Sequence, residues 1–326
     1  MNIKIRNTLL GLLAAVVLLL GGLLAYVQWA LPSVGPAPEL NVEASPERIH
    51  RGRYLAHAVA ACMDCHSTRD WSRLAAPLQE GTLGRGGERF DETLGFPGTF
   101  ISPNITSFNL ADWTDGEIYR AIKSGVSKEG KALFPVMPYP SYAQMDEEDV
   151  FSIIAYLRSL PSQAHEVPGS RAQFPMSLLI KTIPKKAEKA QAPPRSDRVA
   201  YGKYLLTIAA CADCHTPQKQ GQPLPGLRLA GGFPFALPTG TVRSSNISPS
   251  ETTGIGLCTE DMFVQRFKQY ADSAYVPPTV EPGGFNTVMP WLMYAQMEEE
   301  DLKAIFAYLQ TVDPVENTVE RFSPRM

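Results

Sequence analysis

The sequence has little net charge. Its 30 basic and 33 acidic side chains leave −3 over 326 residues. A nucleic-acid partner is therefore not expected, because phosphate binding calls for a strong basic field. Low-complexity disorder is excluded as well, since 44% of the residues are hydrophobic and can build compact cores. Convincing period-two alternation is missing, so strands are not expected to carry the fold. Histidine and cysteine are scarce, with five of each. Proline (28) and glycine (25) are common, which predicts long irregular loops around the compact parts.

The few cysteines are concentrated. Four fall in two copies of one pattern, Cys62-Met63-Asp64-Cys65-His66 and Cys211-Ala212-Asp213-Cys214-His215. Two cysteines three positions apart on a helical turn point their sulfurs the same way. They can add to the two vinyl groups of one haem, and the histidine that follows can swing its ring over the iron. The pattern reads as c-type haem attachment. A closed zinc site would need a fourth ligand, usually from a second motif close by, whereas these motifs lie 149 residues apart. A redox dithiol would not require the histidine.

The two motifs belong to a longer internal repeat. Gly52-Arg53-Tyr54-Leu55 is answered by Gly202-Lys203-Tyr204-Leu205, and Asn104-Ile105-Thr106 by Asn246-Ile247-Ser248. Val136-Met137-Pro138 recurs as Val288-Met289-Pro290, and Tyr142-Ala143-Gln144-Met145 as Tyr294-Ala295-Gln296-Met297. The order is the same in both copies, so a duplicated domain is expected at 47–163 and 199–315. Each copy reads as mainly helical. Helical spacing runs from Arg48 to Ala61, a Thr114…Glu117 capping box opens a helix to about Lys123, and Asp146 caps another that runs to Leu160.

Each iron needs a sixth ligand or an open site. A methionine thioether raises the potential and leaves no free coordination position. Met137 and Met289 precede prolines on loops and are the expected ligands. Met145 and Met297 stand just before a helix cap, where packing on Val150 and Leu302 accounts for them. Met293 aligns with Ser141 in the other copy, has no methionine counterpart, and is expected to pack. Cys258 aligns with Trp113 and reads as a small buried hydrophobe. Asn104, Asn246 and Arg243 could bond either a haem propionate or a loop carbonyl.

Before the repeat, Lys4 and Arg6 precede an uncharged stretch whose apolar part, Leu9 to Leu31, would make a helix of about 34 Å, enough to cross a bilayer. Residues 1–31 are expected to be an anchor, longer than the apolar core of a cleaved signal. Its N-terminus would stay in the cytoplasm, with Tyr26 and Trp29 at the outer interface. Residues 32–46, with Pro32, Pro36 and Pro38, form an expected stiff spacer. Residues 164–198 form a basic linker across both copies, and 316–326 a tail. Lys181, Lys185, Lys186 and Lys189 could steer an acidic partner or be simply solvated.

Together the Gly-x-Tyr-Leu, Cys-x-x-Cys-His, Asn-Ile-Thr, Met-Pro-Tyr and Ala-Tyr-Leu blocks resemble class I c-type cytochromes. More narrowly, the chain is similar to membrane-bound multihaem cytochrome subunits that accept electrons from periplasmic dehydrogenases of the alcohol and aldehyde type. The resemblance covers about residues 47–315. It implies two tandem cytochrome c domains, with covalent haem c on Cys62 and Cys65 and on Cys211 and Cys214. The axial pairs would be His66 with Met137 and His215 with Met289. It also implies a non-catalytic carrier at the bacterial inner membrane, its haem domains in the periplasm. A dehydrogenase or other redox protein would be the donor, and a membrane oxidase, quinone-linked complex or soluble cytochrome the acceptor. Gly52 and Gly202 would let the first helix of each copy cross the last near Tyr156 and Tyr308. The alternative is a dihaem enzyme, such as a cytochrome c peroxidase or a thiosulfate-oxidising cytochrome.

Overall fold

A computed structural model describes residues 3–325. Met1, Asn2 and Met326, the outer ends of the expected anchor and tail, lie outside the described residues. The fold is mostly helical. Helix α1 (Ile3–Trp29) has no buried residue, and among the described residues it alone is long and apolar enough to cross a membrane. A signal sequence would share those properties.

The first copy of the repeat contains α2 (Pro46–Tyr54), continued by a π turn (Leu55–Val59), then α3 (Cys62–Cys65), α4 (Ser107–Leu110), α5 (Asp115–Ser124), α6 (Tyr139–Tyr142) and α7 (Glu147–Ser159). A linker carries α8 (Met176–Leu179). The second copy contains α9 (Arg198–Ile208), α10 (Cys211–His215), α11 (Glu260–Lys268), α12 (Trp291–Tyr294) and α13 (Glu299–Leu309). Local chemistry sets these boundaries. The Thr114–Glu117 capping box starts α5 and left-handed Gly125 (φ 67°) ends it. Asp146 caps α7 by accepting the Glu148 N–H.

Each copy packs its first helix across its last. An added Cβ on Gly52 would overlap the Ser152 carbonyl and crowd Tyr156 Cβ at 2.8 Å. One on Gly202 would overlap the Ala304 carbonyl, with Ile305 N at 3.0 Å. Only glycine permits these crossings. Around them Leu55, Val150, Ile153 and Ile154, and in the second copy Leu205, Leu302 and Ile305, are buried in one continuous apolar cluster. Each such side chain contributes about 1.5–3 kcal/mol by leaving water.

Strands are short, two to four residues, and form small antiparallel sheets beside the helices. Segments that brief cannot display a period-two pattern, so the sequence gives no sign of them. The linker adds Arg171–Ala172 to one sheet, pairing with Gly98–Thr99. Further on, Ala192 N–H donates to Asp146 and Arg195 reaches Glu298, so the linker touches both copies. Residues 32–46 do not stand free. Pro38 lies against Gly116, and Val42 N–H donates to Asp115 at 2.8 Å.

Candidate haem sites

Both cysteine motifs are turned the same way by their backbone. Ala61 (φ 49°) and Ala210 (φ 53°) take left-handed conformations just before Cys62 and Cys211 and start the short α3 and α10. Such geometry is uncommon for alanine, and the surroundings hold it. Tyr142 Oη donates to the Ala60 carbonyl at 2.8 Å, and Tyr294 Oη to the Ala209 carbonyl at 2.8 Å.

The two histidines are oriented alike. His66 Nδ1 lies 2.8 Å from the Pro103 carbonyl, and His215 Nδ1 lies 2.7 Å from the Ser245 carbonyl. A carbonyl only accepts, so Nδ1 carries the proton and Nε2 keeps its lone pair, the state an axial ligand requires. Burial pushes both imidazoles down, toward the neutral form. The loops that bring these carbonyls close depend on Gly86 and Gly231, where a Cβ would strike the Pro103–Asn104 and Ser245–Asn246 peptides. Each glycine N–H also bonds the carbonyl of its motif histidine, at 2.9 and 2.8 Å. Motif inspection overlooks these positions, although Gly86-Gly87 and Gly231-Gly232 recur as pairs before the Asn-Ile blocks.

The two motifs, with Met137 and Met289, border one continuous cavity of ≈ 940 Å³. It lies at the upper end of the range for small-molecule and cofactor sites, about 300–1,000 Å³. Its first-copy wall includes Phe100 stacked on Phe134 at 4.0 Å, and its second-copy wall includes Phe267 and Trp291. Met137 and Met289 sit just before α6 and α12, with their carbonyls accepting the Tyr139 and Trp291 N–H groups at 2.7 and 2.8 Å. Met145 and Met297 are buried. Met297 nevertheless reaches the cavity wall beside Leu302, a contact the sequence does not suggest.

These residues fit covalently held haem. The four thiols border the largely apolar cavity, and burial pushes each up to about 12. Among the described residues, no group of three His, Cys, Asp or Glu side chains converges as a metal-binding set.

The asparagines are loop clamps. Asn104 Oδ1 accepts from Thr106 N–H and Oγ1, and its Nδ2 donates to the Gln163 and His165 carbonyls. Asn246 repeats this with Ser248 and the Val315 carbonyl. Arg243 borders the cavity but bonds Ser323 and Glu320. Cys258 is half-buried at the cavity edge, where its Sγ approaches its neighbour's carbonyl, Thr259 O, at 3.4 Å.

No protein-family model matches the chain. Over 297 residues it is 27% identical to an alcohol dehydrogenase (quinone) cytochrome c subunit of Gluconacetobacter polyoxogenes, covering 86% of this chain and 59% of that one. The chain therefore spans under two thirds of that relative's length. It is 26% identical over 286 residues to a gluconate 2-dehydrogenase cytochrome c subunit of Pantoea cypripedii. A diheme cytochrome c-type protein of Cereibacter sphaeroides is 29% identical over 317 residues, 88% of this chain and 93% of the relative. By these similarities the chain is a homologue of dehydrogenase cytochrome c subunits, which are electron-transfer components rather than catalytic ones.

Proposed function

We propose that the chain is a membrane-anchored dihaem c-type cytochrome with two class I cytochrome c domains, carrying electrons from a periplasmic dehydrogenase toward the respiratory chain. The observation that carries this reading is the pairing, on one cavity, of two Cys-x-x-Cys-His turns with two Met-Pro loops. Matching a diheme relative over 93% of its length supports the count of two.

Bound haem would supply a one-electron iron couple. Cys62 and Cys65, and Cys211 and Cys214, would fix it by thioether bonds. His66 and His215 would present Nε2, held in place by the Pro103 and Ser245 carbonyls. Met137 and Met289 would supply the second ligand to each iron, and the aromatic walls would exclude water. Two closed sites suit a carrier, since neither leaves room for a substrate at iron. The anchor would be α1, uncleaved, keeping the carrier among its membrane partners.

The test is a haem count with a spectrum. Denatured chain should retain two haem c groups, and the native protein should be low-spin without peroxide reactivity. One haem, or a high-spin or thiolate-ligated haem, overturns the reading.

A further inference from the structure

The linker between the copies has an outer surface that the carrier function does not use. Residues 171–187 contain four basic side chains, Arg171, Lys181, Lys185 and Lys186, and no acidic one. Within this stretch Phe174 is 81% exposed, more than any other large apolar side chain described outside α1, and Leu179 is 50% exposed. Isolated exposed leucines are ordinary, but a bare phenylalanine just before a short helix that ends on a second bare apolar side chain, beside unopposed lysines, is an interfacial pattern.

Its position gives the pattern an occupant. Lys181 Nζ donates to the Gln28 carbonyl at 3.0 Å and to Gln28 Oε1 at 2.9 Å. Those acceptors lie in the last turn of α1, beside Trp29, which is itself 82% exposed. If α1 spans the bilayer, its last turn lies at the headgroup level and the linker lies there with it. The attraction of lysines to an anionic surface reaches only about a Debye length, roughly 10 Å, so this proximity is what the charges need. On its inner side the same segment contributes Ser177 and Ile180 to the cavity wall.

We propose that residues 171–187 form a second membrane contact. Phe174 and Leu179 enter the interface, and Lys181, Lys185 and Lys186 bind anionic phospholipid headgroups of the bilayer that holds α1. One peripheral element would then fix the orientation that a single helix leaves free, seating the first-copy end of the cavity against the membrane. The proposal rests on α1 being a retained anchor, and its test separates the two.

The test uses the full-length holoprotein in nanodiscs of phosphatidylcholine, alone or mixed with phosphatidylglycerol. Amide exchange is followed over 171–187. Exchange should slow about tenfold in the phosphatidylglycerol discs. Raised salt or Lys185→Glu with Lys186→Glu should abolish that slowing, and Phe174→Ser should weaken it, each with an unchanged haem spectrum. Equal exchange in both lipids, with the chain still held in the discs, overturns the second contact and leaves the anchor standing. Protection that arises only on adding a partner dehydrogenase also overturns it, since the surface then binds protein. A chain that leaves the discs with an N-terminus beyond residue 31 overturns the anchor and the proposal together.

Discussion

Tyr54 of the first copy donates its phenolic proton to Asp301 of the second at 2.7 Å, and its oxygen accepts the Glu298 N–H at 3.1 Å. The exchange is reciprocal. Tyr204 of the second copy donates to Asp149 of the first at 2.6 Å and accepts the Asp146 N–H at 3.1 Å. The tyrosines come from the repeated Gly-x-Tyr-Leu blocks and the acids from the start of each last helix. Duplication has thus given the two copies a matched pair of cross-links.

Removing either hydroxyl should destabilise the protein, but unequally. Asp149 keeps a two-point pair with Arg51 at 2.8 and 3.0 Å, whereas Asp301 keeps only Arg195 at 3.6 Å. Burial already pushes the Asp301 carboxyl up. Tyr54→Phe should therefore cost about 1–3 kcal/mol, the range for an abandoned buried polar group, and Tyr204→Phe about 1 kcal/mol. Urea unfolding of the two variants in detergent checks the order.

Methionine substitutions should divide into two classes. Met137→Ala and Met289→Ala should each lower the potential of one haem and turn it high-spin, with modest loss of stability. Met145→Ala should leave both spectra low-spin and cost about 2–5 kcal/mol as a cavity in the core. Met297→Ala is the sharper control because Met297 touches the cavity. A high-spin signal from that variant, with Met289→Ala silent, would reassign the second ligand.

Gly52→Ala and Gly202→Ala should be destabilising although both lie inside helices, where alanine normally gains stability. Each new methyl meets a backbone carbonyl of the crossing helix, which cannot move aside without opening the pair. A cost of about 1–3 kcal/mol or more is expected, read as a lowered Tm in detergent. Gly21→Ala inside α1, where the methyl meets nothing within 4 Å, controls for the helix-propensity effect alone.

Acidification should weaken the fold partly through His57. Burial, and then the charge of Arg53, push its imidazole down to about 4, and Nε2 sits 2.6 Å from Tyr156 Oη. In an unfolded chain histidine titrates near about 6.5. Between those values the unfolded state holds the extra proton, so stability rises with pH. The contribution is complete above about 6.5 and is lost as pH falls toward 4. Scans of Tm against pH should show a smaller decline over that window for His57→Gln than for the parent protein.

The motif turns and the capping of α5 and α7 are legible because each depends on neighbours close in sequence or on a repeated block, whereas the Gly52 crossing follows only from the family resemblance. The Asn-Ile blocks were only half legible. Their recurrence is plain, but whether Asn104 holds a loop or a ligand depends on the Gln163 and His165 carbonyls about sixty positions away. The histidine acceptors are illegible for a different reason. Pro103 and Ser245 act through their backbone carbonyls, and side-chain identity says nothing about that. The closeness of the two motifs was also hidden, since packing between copies leaves no periodic trace.

The second copy also grips the first through a loop. Val280 N–H donates to the Ser72 carbonyl at 2.8 Å, the Leu74 N–H donates to Pro278, and the Asn286 side chain accepts from Ala75 N–H at 3.0 Å. With the tyrosine–aspartate exchange elsewhere on the same interface, this clasp braces the copies like a splint. A hinge motion that widened the space between the cysteine motifs would have to break both sets of bonds. The spacing of the two cysteine motifs is thus tied to both sets of bonds. A change in that spacing would cost the bonds of the clasp and of the tyrosine–aspartate exchange together.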